Sequence, residues 1–251
     1  MLKVLKDRVA RWLFPNGAVR PIWGGVCRGM RYEVGPGIGA TFCLGGEAFH
    51  HGFYAQVLRP GMHVWDVGAN TGQSLLAFGR LVGQSGSVNS FEPVLELAEL
   101  AQRQARLNDL EHVQVHCVAA GSEDGFLEFE FNPTAPTQGK LSNVEREYKI
   151  CGASLRKVRV VALDSFALAE DLPKPDFLKI DVEGAGAAVL RGARCLLEEF
   201  GPTIFMELHG PEERHAINEL GNLGYTFRNL AENRITNPIE TWCSPILCQR
   251  A

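Results

Sequence analysis

An α/β fold, a mostly parallel sheet with helices on both faces, is what this sequence predicts, and three observations lead to it. From Val64 onward, short apolar runs alternate with stretches of helical periodicity. Gly- and Pro-containing turns separate them, as at Arg59-Pro60-Gly61 and Gly201-Pro202. The chain of 251 residues, with 45% hydrophobic and 22% charged residues, is large and apolar enough to build a full core. Strands alternating with helices imply right-handed crossovers, hence parallel neighbours buried on both sides.

Taken in order, residues 1–59 read as a lead-in. A basic helix is expected over Met1–Phe14, short β pieces around Arg31–Val34 and Thr41–Leu44, and a helix over Glu47–Leu58. Residues 60–251 form the main domain. Val64–Val67, Ser87–Phe91 and Val113–Val118 read as buried strands, with helices over Ser74–Leu81 and Val94–Leu107 between them. Phe126–Phe131 alternates aromatic or aliphatic with acidic residues, the pattern of a half-exposed strand. Residues 132–156 show no period and read as a long excursion that shapes the choice of substrate. Strands at Val158–Val161 and Phe177–Val182, one helix over Ala185–Phe200 and a strand at Thr203–Leu208 follow. A helix over Glu212–Leu220 and strands at Tyr225–Phe227 and Trp242–Cys248 complete the chain.

The net charge of −4 argues against nucleic acid as a partner. It is unevenly spread: residues 1–31 hold seven basic groups against Asp7, a local charge of +6. Leu2, Leu5, Val9, Trp12 and Leu13 recur at helical spacing opposite those cations. Such a helix either lies over its own domain, the simpler reading, or rests on an anionic membrane surface through residues 1–14. The seven cysteines include no C-x-x-C pair, so reduced thiols and a cytoplasmic setting are expected rather than a disulfide framework or a metal cluster.

Ligands of open α/β sheets bind at the C-terminal strand ends, and four segments fall there. Asp66-Val67-Gly68-Ala69-Asn70-Thr71-Gly72 follows the first parallel strand and precedes a helix. Its glycines allow a sharp turn and close approach to a ligand. Glu92 ends the next strand, where an acid can accept both hydroxyls of a ribose. The loop reads G-x-x-x-G behind a carboxylate, not the G-x-G-x-x-G that cradles a pyrophosphate. Asp66 would repel a pyrophosphate but can hold an ammonium, directly or through water. That charge logic favours S-adenosyl-L-methionine over NAD. Lys179, Asp181 and Glu183 share a face if their strand persists, as do Glu207 and His209 on the following one. Either they rim a pocket, or Lys179 forms an internal ion pair with Asp181 or Glu207 that orders the sheet.

Five blocks, Asp66–Gly72, Phe91-Glu92-Pro93, Leu163-Asp164-Ser165, Leu178–Gly184 and Val189–Ala193, resemble the FkbM family of S-adenosylmethionine-dependent methyltransferases, across roughly residues 45 to 210. Gly46-Glu47 and Glu207 fit the same pattern. The resemblance implies a class I methyltransferase fold, a Rossmann-like seven-stranded sheet whose last strand is antiparallel, and methyl transfer usually to oxygen. It places Asp66, Gly68, Ala69, Asn70, Gly72, Glu92 and Glu47 at the cofactor and Asp181 beside the sulfonium. The acidic or polar residue that relatives carry near the adenine has no clear counterpart in Val118-Ala-Ala-Gly-Ser122, and Ala185-Gly186 stands where relatives often carry Ala-Glu.

Transfer to an alcohol needs a proton acceptor. The candidates are His209 and Glu207, with His50 and His51 as a second possibility. Asp181 and Lys179 complete the catalytic set. Asp181, Glu183 and Glu207 can supply oxygen ligands to a divalent ion, but their spacing does not demand one. The expected acceptor is a small hydroxylated molecule, sugar or polyketide-like compound. The alternatives are an NAD-dependent oxidoreductase and a non-catalytic module of the same fold.

Overall fold

The computed structural model describes residues 13–35, 39–46, 48–132, 135–141, 152, 154–231, 234–240 and 244–250. The expected basic helix before Leu13, Glu47 and most of 142–153 lie outside these residues.

The chain opens with an antiparallel pair, β1 (Val19–Pro21) and β2 (Arg31–Glu33), followed by α1 (Gly39–Cys43) and α2 (Ala48–Val57). Then come β3 (His63–Val67), α3 (Gln73–Val82), β4 (Ser87–Phe91), α4 (Leu95–Leu107) and β5 (Val113–His116). A smaller sheet is built from β6 (Ala119–Gly121), β7 (Gly125–Asn132), β8 (Ala135–Leu141) and β9 (Ser154–Ala162). The main sheet resumes through α5 (Leu163–Ala169), β10 (Phe177–Ile180), α6 (Gly186–Gly192), α7 (Arg194–Phe200) and β11 (Thr203–Met206). The last elements are α8 (Pro211–Leu220), β12 (Tyr225–Asn229), β13 (Arg234–Ile235) and β14 (Ile246–Arg250).

The main sheet runs β5-β4-β3-β10-β11-β14-β12-β13, with β14 antiparallel to both β11 and β12. This is the doubly wound, Rossmann-like arrangement with the last strand reversed; the two-residue β13 adds an edge to the seven expected strands. Strand order turns back beside β3, so the loop after β3 opens into the crevice where such sheets bind ligands. The four residues of β10 are buried on both faces, as parallel strands under two helical layers must be. Trp65, Val67, Leu178 and Ile180 pack toward α6–α8, whereas Val64, Phe177 and Phe205 pack toward α2–α4. Phe14, Ile22, Tyr32 and Phe42 join that second core, so the residues ahead of β3 share it.

Side chains stitch β2 to α4. The Gln104 amide accepts the Glu33 N–H at 2.9 Å and donates to the Glu33 carbonyl at 2.7 Å. Asn108 treats Arg31 the same way, at 2.8 and 2.7 Å. Two amides thus do for an edge strand what a neighbouring strand would do.

Three expectations are corrected. Thr41–Leu44 is not a β piece, because Thr41–Cys43 lie in α1, where one helical turn sends Phe42 and Cys43 into the core. Ala185–Phe200 is two helices, not one. A Cβ on Gly192 would lie 1.9 Å from the Gly121 carbonyl, so the chain presses on β6 there. The N–H groups of Cys195 and Leu196 then donate to the Asp164 carboxylate at 2.8 and 3.0 Å, restarting the helix. The stretch 132–156 is not a loop throughout, since it contains β8 and the start of β9, and β7, β8 and β9 pair antiparallel. Among the described residues, no helix is long and apolar enough to cross a membrane. Cys27, Cys43, Cys117, Cys195 and Cys248 are unbridged.

Candidate functional site

The turn from β3 into α3 places Gly68, Asn70 and Gly72 in the left-handed region, at φ +91°, +50° and +89°. Gly68 has no substitute: a Cβ there would stand 2.0 Å from the Asp181 carbonyl. The loop is moored to the end of β4. The N–H groups of Gly68 and Ala69 both donate to the Phe91 carbonyl, at 3.0 and 3.1 Å. Glu92 Oε2 accepts the Asn70 N–H at 2.9 Å and Oε1 accepts the Val94 N–H at 3.0 Å. The loop glycines and the strand-end acid, separate motifs in sequence, are therefore one unit.

A cleft of about 750 Å³, its open mouth included, lies over that unit. Gly68, Asn70, Glu92 and Asp181 supply its polar wall, and Leu97, Val118, Ala119 and Ala120 an apolar one. The segment after β5 thus contributes apolar side chains, Val118, Ala119 and Ala120, to the cleft. Phe129 on β7 and Lys140 on β8 close a further side, and Lys140 is paired with Glu130 at 3.4 Å. Burial raises the Glu92 carboxyl to about 7, although the two backbone N–H groups oppose the shift.

Behind the cleft lies a charged layer. Lys179 and Asp66 are in-register neighbours on β10 and β3, on the face covered by α2. Both are buried; Lys179 Nζ stands 3.3 Å from Asp66 Oδ1 and 3.3 Å from Asp181 Oδ2, and donates to the Gly68 carbonyl at 3.4 Å. Burial works against the Lys179 charge, but Asp181 and Asp66 outweigh it and hold the ammonium above its usual range. Burial raises the Asp66 carboxyl, with Lys179 opposing. Burial also opposes the Asp181 charge, yet Lys179 and a hydrogen bond from His209 keep its carboxyl low.

Of the two ion pairs open to Lys179 on sequence, the one with Asp181 forms, and a second, to Asp66, is added. Asp66, Ala69 and Gly72 do not line the cleft, nor do Lys179, Glu207 and His209, which stand beside it around Asp181. Gly72 lets α3 approach α4, since a Cβ there would lie 3.0 Å from the Ala101 Cα. Glu47 lies outside the described residues.

Strand β11 ends at Met206, one residue short of Glu207, so Glu207 and His209 stand on the turn into α8. His209 Nε2 is 3.3 Å from Asp181 Oδ1 and Nδ1 is 3.5 Å from Glu183 Oε2, so both ring nitrogens face carboxylates. Glu207 Oε1 is 3.9 Å from His50 Nδ1. Burial and then Asp181 raise the Glu207 carboxyl; Lys179, His50 and His209 temper the rise. His51 is buried, with its Nδ1 3.7 Å from Cys27 Sγ. Asp181, Glu207 and His209 bring ligand atoms within 4.8 Å of one another, a donor set suited to a divalent ion.

Sequence reasoning missed Glu213. Its buried carboxylate accepts the N–H groups of Gly186 at 3.0 Å, Gly210 at 3.1 Å and His209. A Cβ on Gly186 would meet Met206 Cε at 2.2 Å and Glu213 Oε1 at 2.8 Å, so the departure at Ala185-Gly186 leaves room for Glu213. The readable signal was an acid three residues after Gly210, at the helix start.

Residues 66–227 match the model of the Methyltransferase FkbM domain. "Methyltransferase 1" of Beauveria bassiana (strain ARSEF 2860) is 30% identical over 142 residues, which are 51% of this chain and 56% of that protein. The crystal structure of Methyltransferase FkbM from Methylobacillus flagellatus KT superposes with a TM-score of 0.51 at 18% identity, covering 83% of this chain and 52% of that one. The chain thus spans about half the length of these two proteins, and the superposition shows a shared fold.

Proposed function

The chain belongs to the FkbM methyltransferase family, and from that premise we propose that it transfers a methyl group from S-adenosyl-L-methionine to a hydroxyl of a small molecule, sugar or polyketide-like acceptor. The observation that carries this reading is the unit of Gly68, Asn70 and Glu92 facing one cleft with Asp181. Glu92 offers carboxylate lone pairs to a ribose, and the apolar wall of Leu97, Val118 and Ala119 suits a purine face. Asp181, held ionised by Lys179, puts negative charge beside a sulfonium. The acid behind the loop, which argued against a pyrophosphate, is here neutralised by Lys179. What remains against a dinucleotide is the glycine spacing and the wall of carboxylates.

The cofactor supplies the electrophile, an in-line displacement at the methyl carbon. The chain's task is to orient the acceptor oxygen and take its proton. Glu207 is assigned as the base. It stands with Asp181 and His209 at the ends of β10 and β11, beside the cleft-lining Asp181, and burial and Asp181 raise its proton affinity. His209, spanned by Asp181 and Glu183, positions that wall. Lys179 is a positioning residue, since its contacts are Asp66, Asp181 and the Gly68 carbonyl.

The test is transfer of labelled methyl to a panel of hydroxylated acceptors. Ether products are expected, and Glu207→Gln should lower kcat by about 100-fold while leaving affinity for S-adenosylhomocysteine unchanged. Methyl found on nitrogen or carbon contradicts the oxygen assignment. Binding without turnover on any acceptor supports a non-catalytic module. The ligand set at Asp181, Glu207 and His209 favours a second reading, in which a divalent ion activates the hydroxyl. Under that reading EDTA abolishes transfer and Mg²⁺ restores it.

A further inference from the structure

Four of the nine exposed large hydrophobic residues among the described residues fall within residues 13–44: Trp23 is 58% exposed, Leu44 53%, Leu13 43% and Val19 43%. Exposed apolar side chains are ordinary when scattered, but Leu13, Trp23 and Leu44 are joined by the fold. The Trp23 ring meets the Phe14 ring at 6.0 Å, and the Trp23 N–H donates to the Cys43 carbonyl at 2.8 Å. Arg20 Nε donates to the Leu13 carbonyl at 3.0 Å. Trp23 and Leu44 each precede a glycine, and those glycines are in backbone contact: a Cβ on Gly45 would lie 3.2 Å from the Gly24 Cα. Two loop tips are therefore clamped side by side, each ending in a large exposed apolar residue.

Cations flank the tips. Ile22 accepts the Gly29 N–H and donates to the Met30 carbonyl, both at 2.8 Å, which ties the segment flanked by Arg28 and Arg31 to the residue before Trp23. Arg80 donates to the Arg28 carbonyl at 2.8 Å, and Arg28, Arg31 and Arg80 line a shallow groove with Asp109. Glu33 is occupied by Arg103 at 3.0 Å. The residues leading into Leu13 add Lys3, Lys6, Arg8 and Arg11 against Asp7.

We propose that the face carrying Leu13, Trp23 and Leu44 docks on an anionic lipid surface, its apolar tips entering the headgroup layer and its arginines facing lipid phosphates. An exposed Trp beside Arg is suited to that boundary, apolar at one end and wet at the other. Charge decides between occupants. A second copy of this chain would set one cationic face against another, whereas an anionic bilayer neutralises it. Residues 1–31 carry +6 in a chain of net −4, so the remaining sequence carries −10 and the basic excess lies in this segment.

The experiment is co-sedimentation of the full chain with vesicles of phosphatidylcholine alone and of phosphatidylcholine with phosphatidylglycerol. Binding is expected to the anionic vesicles only, weakening as salt rises. Trp23→Ser with Leu44→Ser should lower partitioning by about tenfold or more, because both side chains leave the apolar layer. Arg28→Gln with Arg31→Gln should weaken binding and flatten its salt dependence. Both pairs alter exposed residues, and unchanged melting temperatures and S-adenosylhomocysteine affinity certify the folds. Absence of anionic-vesicle binding, or binding that survives the serine pair, overturns the proposal. So does a dimer in light scattering that the serine pair dissociates, which would make the face a self-contact.

Discussion

Glu92 sets the pH behaviour of the cofactor cleft. Its carboxyl is raised to about 7 by burial, against about 4.5 when exposed. The stabilisation carried by its protonated form is full below the unfolded value and disappears as pH rises through 7. A separation of this size corresponds to about 3 kcal/mol. Comparing Glu92→Gln with the parent by denaturant unfolding, the difference should move in favour of Gln by up to that amount between pH 5 and pH 8. Ligand binding has the opposite sign: affinity for S-adenosylhomocysteine should rise through pH 7, because the ionised carboxylate is the better acceptor of ribose hydroxyls. A flat profile in calorimetry would separate Glu92 from the ribose.

Gly68 makes a sharper demand. Gly68→Ala puts a methyl into the Asp181 carbonyl at a positive φ, and should cost at least about 2 kcal/mol, visible as a lower melting temperature, together with lost cofactor affinity. Residues of this kind were legible in sequence because only glycine meets such a constraint. The partners of Lys179 were half legible. Spacing within one strand pointed to Asp181, but Asp66 comes from a neighbouring strand whose register no single segment contains.

Among elements, α6, α7 and α8 each begin at backbone N–H groups capped by a carboxylate. Asp164 from α5 holds the start of α7 and touches neither cleft nor charged layer. Asp164→Ala should therefore cost about 1–2 kcal/mol of stability and leave S-adenosylhomocysteine affinity unchanged. Glu213→Ala should lose stability by a similar or larger amount and also slow methyl transfer, because the same carboxylate fixes the His209 backbone. If melting temperature and kcat fall together for Asp164→Ala as well, the separation of scaffold from site drawn here fails.

The strands of the main sheet were readable because burial on both faces leaves continuous apolar runs. The break between α6 and α7 was not, since it depends on the approach of Gly192 to β6, a contact across 71 positions of sequence. Nor was β8, whose Ala-Pro-Thr-Gln-Gly stretch has no strand period and is paired by its neighbour β7. Local propensity gave way to tertiary pairing there, and at α1 to burial of Phe42 and Cys43.

Across the whole molecule, charge is sorted into compartments. The C-terminal ends of β10 and β11 gather Asp181, Glu183 and Glu207, with Lys179 as the buried counter-ion. The opposite sign is collected near the amino end, where Arg20, Arg28 and Arg31 belong to the same segment as exposed Trp23 and Leu44. An acidic pocket suits a cationic methyl donor, and a basic apolar rim suits a lipid surface. The fold class followed from periodicity and turns, and the reversed last strand from the family resemblance. The smaller sheet over the cleft, which brings Phe129 and Lys140 to its wall, could only be seen once folded.

The central claim, that the cleft over Gly68, Asn70, Glu92 and Asp181 takes a methionine-derived nucleoside, is tested most directly by calorimetric titration of the full chain with S-adenosylhomocysteine and, separately, NAD. One site of micromolar affinity for S-adenosylhomocysteine is predicted, with no heat from NAD, and with binding weakened by about 30-fold or more in Glu92→Ala. NAD binding, or S-adenosylhomocysteine binding indifferent to Glu92, would contradict it.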